Sequence, residues 1–118
     1  MSLFSRGPVQ LADALRYSLA GFKTVWKNEA GFRQEATVVA LLIPLALYLG
    51  ETNVERALMI GSCLLVLLVE IINSAIEAAV DRIGEEQHPL SAAAKDMGSA
   101  AVMLSEIMLA VVWILLLI

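Results

Sequence analysis

The sequence predicts an all-α membrane protein with three transmembrane helices and a preceding amphipathic surface helix. Three observations predict it. Hydrophobic residues make up 59% of the 118 and charged residues 17%, giving a mean hydropathy of +0.79. An ordinary soluble domain is about half apolar and about a quarter charged, so both a soluble globule and a disordered chain are excluded. The apolar residues gather into three runs, and the segment before them repeats apolar residues at helical spacing. The length allows one domain covering residues 1–118.

The opening MSLFSRGPVQLADALRYS has no apolar h-region and no small-residue cleavage site, so no secretory signal is expected. The surface helix covers about residues 9–32. Leu11, Ala14, Leu15, Leu19, Phe22, Val25 and Trp26 recur on one side, with Arg16, Lys23 and Lys27 among them. This is the pattern of a helix lying in a membrane interface, with Trp26 as its anchor.

The first apolar run, Ala36 to Gly50, is short against the roughly 20 residues a span needs. Extending its helix toward Gly31 gives a span over about 33–50, with Arg33 and Glu35 near the headgroups. Pro44 is tolerated where neighbouring helices re-satisfy the backbone. The second run, Ala57 to Val80, is long enough to span but carries Glu70, Asn73 and Glu77. The third, over 97–118, is also long enough and carries Glu106.

Arg6, Arg16, Lys23, Lys27 and Arg33 precede the first span, and Arg82 and Lys95 lie between the second and third. Only Arg56 lies between the first and second. The positive-inside rule puts the N-terminus and the Asp81–Asp96 loop in the cytoplasm. A site using a soluble substrate is therefore expected beside DRIGEEQHPLSAAAKD, the one extended polar connection. The net charge is −4 and no basic tract exists, so nucleic acid is not an expected partner. The single Cys63 lies in an apolar run and reads as a small buried hydrophobe.

Glu70, Asn73 and Glu77 stand at i, i+3 and i+7 on one helix face, and Asp81 continues the stripe. An intramembrane carboxylate costs several kcal/mol unless paired or hydrated, which makes such residues functional candidates. The other reading is a polar network joining helices. The span holds no Lys or Arg, so a bound cation is the natural counter-charge, and hard oxygen ligands suit magnesium. Glu77 lies about 6 Å from Asp81 along the helix axis and Glu70 about 16 Å. Glu77 is shallow enough to meet a soluble metal–nucleotide complex. Glu70 is submerged, where a lipid or a proton reaches it, and suits a general base. Glu29 in NEAGFRQE, Lys95 and Asp96 in KD, and the lone His88 in EEQHPL read as ordinary solvated or helix-start residues on position alone. No GxxxxGK[ST], GxGxxG, HRD, DFG or HExxH motif is present.

Taken together, EIINSAIEAAVDRIGEEQHPL, AAAKDMGSAAV and the upstream NEAGFRQE resemble the prokaryotic diacylglycerol kinase family, from about Leu15 to Trp113. A relative that phosphorylates undecaprenol shares the ExxNxxxExxxD and KD cores, whereas GFRQE and KDMGSAAV resemble the diacylglycerol branch of Gram-negative bacteria. The resemblance implies a homotrimeric inner-membrane enzyme with sites shared between subunits. It would use MgATP to phosphorylate diacylglycerol to phosphatidic acid. By matching positions, Glu29 and Glu77 would hold the metal and nucleotide, Glu70 would be the base and Asn73 would order that base. Tyr17, Glu86, His88, Lys95 and Asp96 would contact nucleotide. Ala14, Leu19, Arg33, Glu35, Tyr48, Ser99 and Trp113 would line the lipid side with Glu70. Gln10 stands where the family carries Arg, with Arg6 and Arg16 as candidate replacements, and Gln87 stands where it carries an aromatic residue.

Rival classes are a small membrane transporter or proton relay, which intramembrane carboxylates also suit, and a structural bundle protein. Against a relay stands the lack of an acidic residue to complete a path through the first span. Glu106 belongs to no matched position. It shares a helix face with Lys95, Ser99 and Trp113 and lies at a depth close to that of Glu70. It is expected to face the bundle interior, hydrogen-bond a neighbouring helix and support the polar face of the second span without doing chemistry.

Overall fold

The computed structural model describes residues 8–84 and 87–118, and every regular element among them is helical. In chain order these are α1 (Pro8–Asn28), α2 (Ala30–Leu49), α3 (Asn53–Ile83) and α4 (Pro89–Leu117). The last three are long and apolar enough to cross a membrane. At 1.5 Å per residue they measure about 30, 46 and 43 Å. A hydrocarbon core is about 30 Å thick, so α3 and α4 extend well beyond it.

Two boundaries differ from the sequence expectation. The chain breaks at Glu29, so the N-terminal helix stops at Asn28 and Phe32 belongs to α2. Glu29 has extended backbone angles as the residue preceding α2. Arg33 explains why the break is stable: its guanidinium donates to the carbonyls of Trp26 (2.6 Å) and Lys27 (3.1 Å). Those carbonyls end α1 and lack helical partners, which a cationic donor satisfies. The second difference is the polar connection, which is mostly helix. α3 runs on to Ile83 and α4 starts at Pro89, six residues before Lys95. His88 caps α4, its Nδ1 accepting from the Leu90 amide at 3.1 Å. Proline at the first helical position and the strong helix formers of SAAAK then propagate the helix.

The α2–α3 turn is tight for local reasons. Thr52 and Glu55 form a reciprocal capping box at the start of α3. Arg56 donates to Leu47 O and Asn53 Oδ1 across the turn. At Gly50 a Cβ would collide with the Arg56 side chain.

α3 is the central helix, packed chiefly against α4 and also against α2. Its buried seam is Met59, Ser62, Cys63 and Val66. Continued at seven-residue steps, that seam becomes Glu70, Asn73 and Glu77. The helix face that is apolar near the α2–α3 turn is therefore polar toward its other end. Trp113 ties α4 to the apolar part, its indole donating to Met59 O at 3.2 Å.

Candidate functional site

The polar end of α3 faces two clefts, with Asp81 on the wall of both. One, of about 490 Å³, lies between α1 and α3. Gly21, Thr24, Val25 and Asn28 line it from α1, Glu29 from the break, and Ser74, Glu77 and Ala78 from α3. The other, of about 630 Å³, is walled by Val80 and Asp81 of α3, by Gly84, Gln87 and His88, and by Pro89, Ser91, Ala92 and Lys95 of α4.

The break at Glu29 decides what the first cleft can do. A continuous helix would carry Glu29 along the α1 axis. The bend instead sets it on the same cleft as Glu77 and Asp81, three carboxylates contributed by two separate segments. Hard anionic oxygens of this kind are the type a hard divalent cation takes, although these three share a cleft without converging as closely as Glu35, Glu70 and Glu106 do.

Asn73 lies one turn from Glu77, and its Nδ2 donates to Glu77 Oε1 at 3.3 Å. The sequence reading attached Asn73 to Glu70. The observed amide bond goes to Glu77, because i, i+4 places those two side chains one above the other. Asn73 Oδ1 is buried without a hydrogen-bond partner.

Deeper in the bundle, Glu70 meets Glu35 of α2 and Glu106 of α4. One carboxylate oxygen from each lies within 4.8 Å of the others. α2, α3 and α4 thus each contribute an acid to one point, α2 included, where the sequence reading expected no acid to complete a path. Glu106 lies beside the acids of α2 and α3, but it is exposed on the single chain where the sequence reading expected it to face the bundle interior.

Lys95 projects from α4 onto Asp81, Nζ to Oδ1 2.7 Å, with both side chains exposed. Asp81 was legible as the end of the acidic stripe, but not as the partner of Lys95. His88 lines the α3–α4 cleft and uses Nδ1 for the helix cap, which leaves Nε2 free of that bond. Gln87 lines the same cleft. Tyr17 shares a helix face with Gly21, Thr24 and Asn28, further along α1, and its ring carries the Arg16 guanidinium at 5.2 Å. Asp96 is exposed and lines neither cleft. Glu86 and Arg6 lie outside the described residues.

The residues matched to the lipid side do not converge on one point within the chain. Glu35 and Glu70 meet, and Arg33 is engaged at the end of α1. Ala14 is buried in α1, whereas Leu19 and Ser99 are exposed. Tyr48 is exposed at the far end of α2, and Trp113 is anchored to Met59 near the start of α3.

With this geometry in hand, comparison with known proteins is direct. The family model for prokaryotic diacylglycerol kinase matches residues 16–117. The chain belongs to this family. A diacylglycerol kinase of Haemophilus influenzae is 49% identical over 107 residues, covering 91% of each chain. One from Escherichia coli K12 is 49% identical over 111 residues, covering 94% of this chain and 91% of its own. One from Pseudomonas aeruginosa is 50% identical over 107 residues, covering 91% and 87%. The family makes this chain an ATP-dependent lipid kinase, with nucleotide and lipid as its substrates and a divalent cation accompanying the nucleotide. Along α3, the two clefts lined by Glu29, Glu77, His88 and Lys95 lie at one end, and Glu70 lies about 10 Å further toward the α2–α3 turn.

Proposed function

We propose that this chain is a diacylglycerol kinase of the bacterial inner membrane, a single integral-membrane domain over residues 1–118. It transfers the ATP γ-phosphate to the hydroxyl of sn-1,2-diacylglycerol, giving phosphatidic acid and ADP. The observation that carries this reading is the carboxylate column of α3, which runs from Glu77 in an open cleft to Glu70 about 10 Å deeper. A lipid stays in the bilayer and a nucleotide stays in water, so only a site spanning both depths serves the two substrates.

Phosphoryl transfer needs positioning and charge neutralisation more than covalent chemistry from the protein. A divalent cation held in the open cleft would supply neutralisation of the phosphate charge. Glu29 and Glu77 are the residues that would hold it, since both face one cleft. A nucleotide lying across Asp81 reaches His88, Gln87 and Lys95 in the second cleft. Tyr17, Asp96 and Glu86 complete the nucleotide set on the family resemblance. Glu70 accepts the proton of the lipid hydroxyl as its oxygen bonds to phosphorus and the bond to ADP breaks. Ala14, Leu19, Arg33, Glu35, Tyr48, Ser99 and Trp113 form the lipid side, with contributions from neighbouring copies.

The N-terminus and the α3–α4 connection are assigned to the cytoplasm by their Lys and Arg excess. On α1, Leu15, Leu19, Phe22 and Trp26 form an exposed apolar stripe, which supports placing this helix in the membrane interface. The homotrimer rests on the family resemblance, and exposure of Glu106 on the single chain is consistent with cover from a neighbouring copy.

The test is ATP consumption by the purified chain in mixed micelles containing diacylglycerol, undecaprenol or neither. Lipid-dependent turnover with diacylglycerol is the expected result. Preference for undecaprenol would move the chain to the polyprenol branch, and no lipid-dependent turnover would overturn the reading.

A further inference from the structure

Gly98 lies on α4 where that helix crosses Asn73 of α3, and it is buried. A Cβ built at Gly98 would overlap Asn73 Oδ1. The amide oxygen occupies the place where any other residue would carry its side chain. The other end of the same amide, Nδ2, holds Glu77 Oε1. Asn73 is thereby fixed at both ends. Rotating the amide by half a turn would set its oxygen against the Glu77 carboxylate, acceptor against acceptor, so the observed orientation is enforced by Glu77. The amide cannot retreat from Glu77, because α4 closes the side behind it at Gly98.

We propose that Gly98 is a positioning residue for Glu77, acting through Asn73. The missing side chain at Gly98 lets α4 approach until Asn73 is pinned, and the pinned amide holds one Glu77 oxygen while the rest of the carboxylate faces the cleft shared with Glu29. The role rests on the reading above that Glu77 holds the divalent cation. Outer groups that orient a metal-binding carboxylate typically change metal affinity by about 10- to 100-fold when removed.

The test measures Mn²⁺ binding to the full-length protein in detergent by electron paramagnetic resonance, with a non-hydrolysable ATP analogue present, so that no turnover is needed. Four variants are compared with the unsubstituted chain: Glu77→Gln, Asn73→Ala, Gly98→Ala, and Asn73→Ala with Gly98→Ala. Asn73→Ala and Gly98→Ala are each expected to weaken Mn²⁺ binding by about 10-fold. The double variant is expected to match Asn73→Ala alone, because the new Cβ fills the space the amide vacates. Such non-additivity is the signature of one residue acting through the other. Loss of fold in Gly98→Ala that is recovered in the double variant supports the same conclusion. Unchanged Mn²⁺ binding in Gly98→Ala, or an equal penalty from Gly98→Ala with and without Asn73, overturns it and leaves Gly98 as helix packing only. Normal Mn²⁺ binding in Glu77→Gln would instead remove the metal reading beneath it, and the positioning role with it.

Discussion

Lys95 and Asp81 form an ion pair of 2.7 Å that closes the polar end of α3 against α4. The pair is exposed, and exposed pairs add little to stability. Its place, with Asp81 on the wall of both clefts and Lys95 on that of the α3–α4 cleft, suits it to a different use. Asp81 holds the lysine beside the α3–α4 cleft, where the proposed function puts a nucleotide phosphate. Asp81→Asn is expected to raise the KM for ATP several-fold with little change in thermal stability, and Lys95→Ala to raise it further. Steady-state kinetics beside a melting curve in detergent measure both. A large melting shift without a KM effect would make the pair structural.

Glu77→Gln keeps the shape and removes the charge from the cleft shared with Glu29. Activity is expected to fall by orders of magnitude, and the magnesium concentration for half-maximal residual activity to rise. A magnesium titration of turnover checks it, and near-normal turnover with an unchanged titration would remove Glu77 from the metal site.

Glu70 lies deeper, beside Glu35 and Glu106, too far along α3 to share a ligand with Glu77 directly. Glu70→Gln is therefore expected to abolish lipid phosphorylation while MgATP still binds. Equilibrium binding of a fluorescent ATP analogue separates the two. Loss of nucleotide binding together with activity would make Glu70 a ligand or a structural residue.

Glu106 meets Glu35 and Glu70 from α4. Glu106→Gln still offers an amide donor to the neighbouring carboxylates and is expected to keep most activity. Glu106→Leu removes the polar partner and is expected to cost about 1 kcal/mol of stability, typical of a hydrogen bond between membrane helices. Thermal unfolding in detergent reads the loss. A Gln variant as inactive as Glu70→Gln would show that the charge itself is required.

Phe22 and Trp26 belong to the exposed apolar stripe of α1. Replacing both with Ser is expected to lower activity more than membrane insertion, since α2, α3 and α4 remain apolar. Membrane fractionation beside the kinase assay checks this, and full activity in the double variant would release α1 from the interface.

What the sequence by itself determined was everything that depends on position along one helix. Three spans were legible because hydropathy is a local sum, the first only once its short apolar run was extended toward Gly31. So was the stripe of Glu70, Asn73, Glu77 and Asp81, because helical spacing alone puts those residues on one face. The ends of the elements were less legible. The break at Glu29 depends on Arg33 reaching back to the Trp26 and Lys27 carbonyls, and the early start of α4 depends on the His88 cap. Only the tertiary structure decided which groups face each other between helices. It brought Glu35 and Glu106 to Glu70, Lys95 to Asp81, and Glu29 to the cleft of Glu77. It also turned the Asn73 amide toward Glu77 rather than Glu70, with Gly98 closing the space behind it. Such encounters depend on how closely two helices approach and at what rotation. That is set by the packing of residues far apart in the chain, such as Trp113 on Met59, and no periodicity within a single helix encodes it.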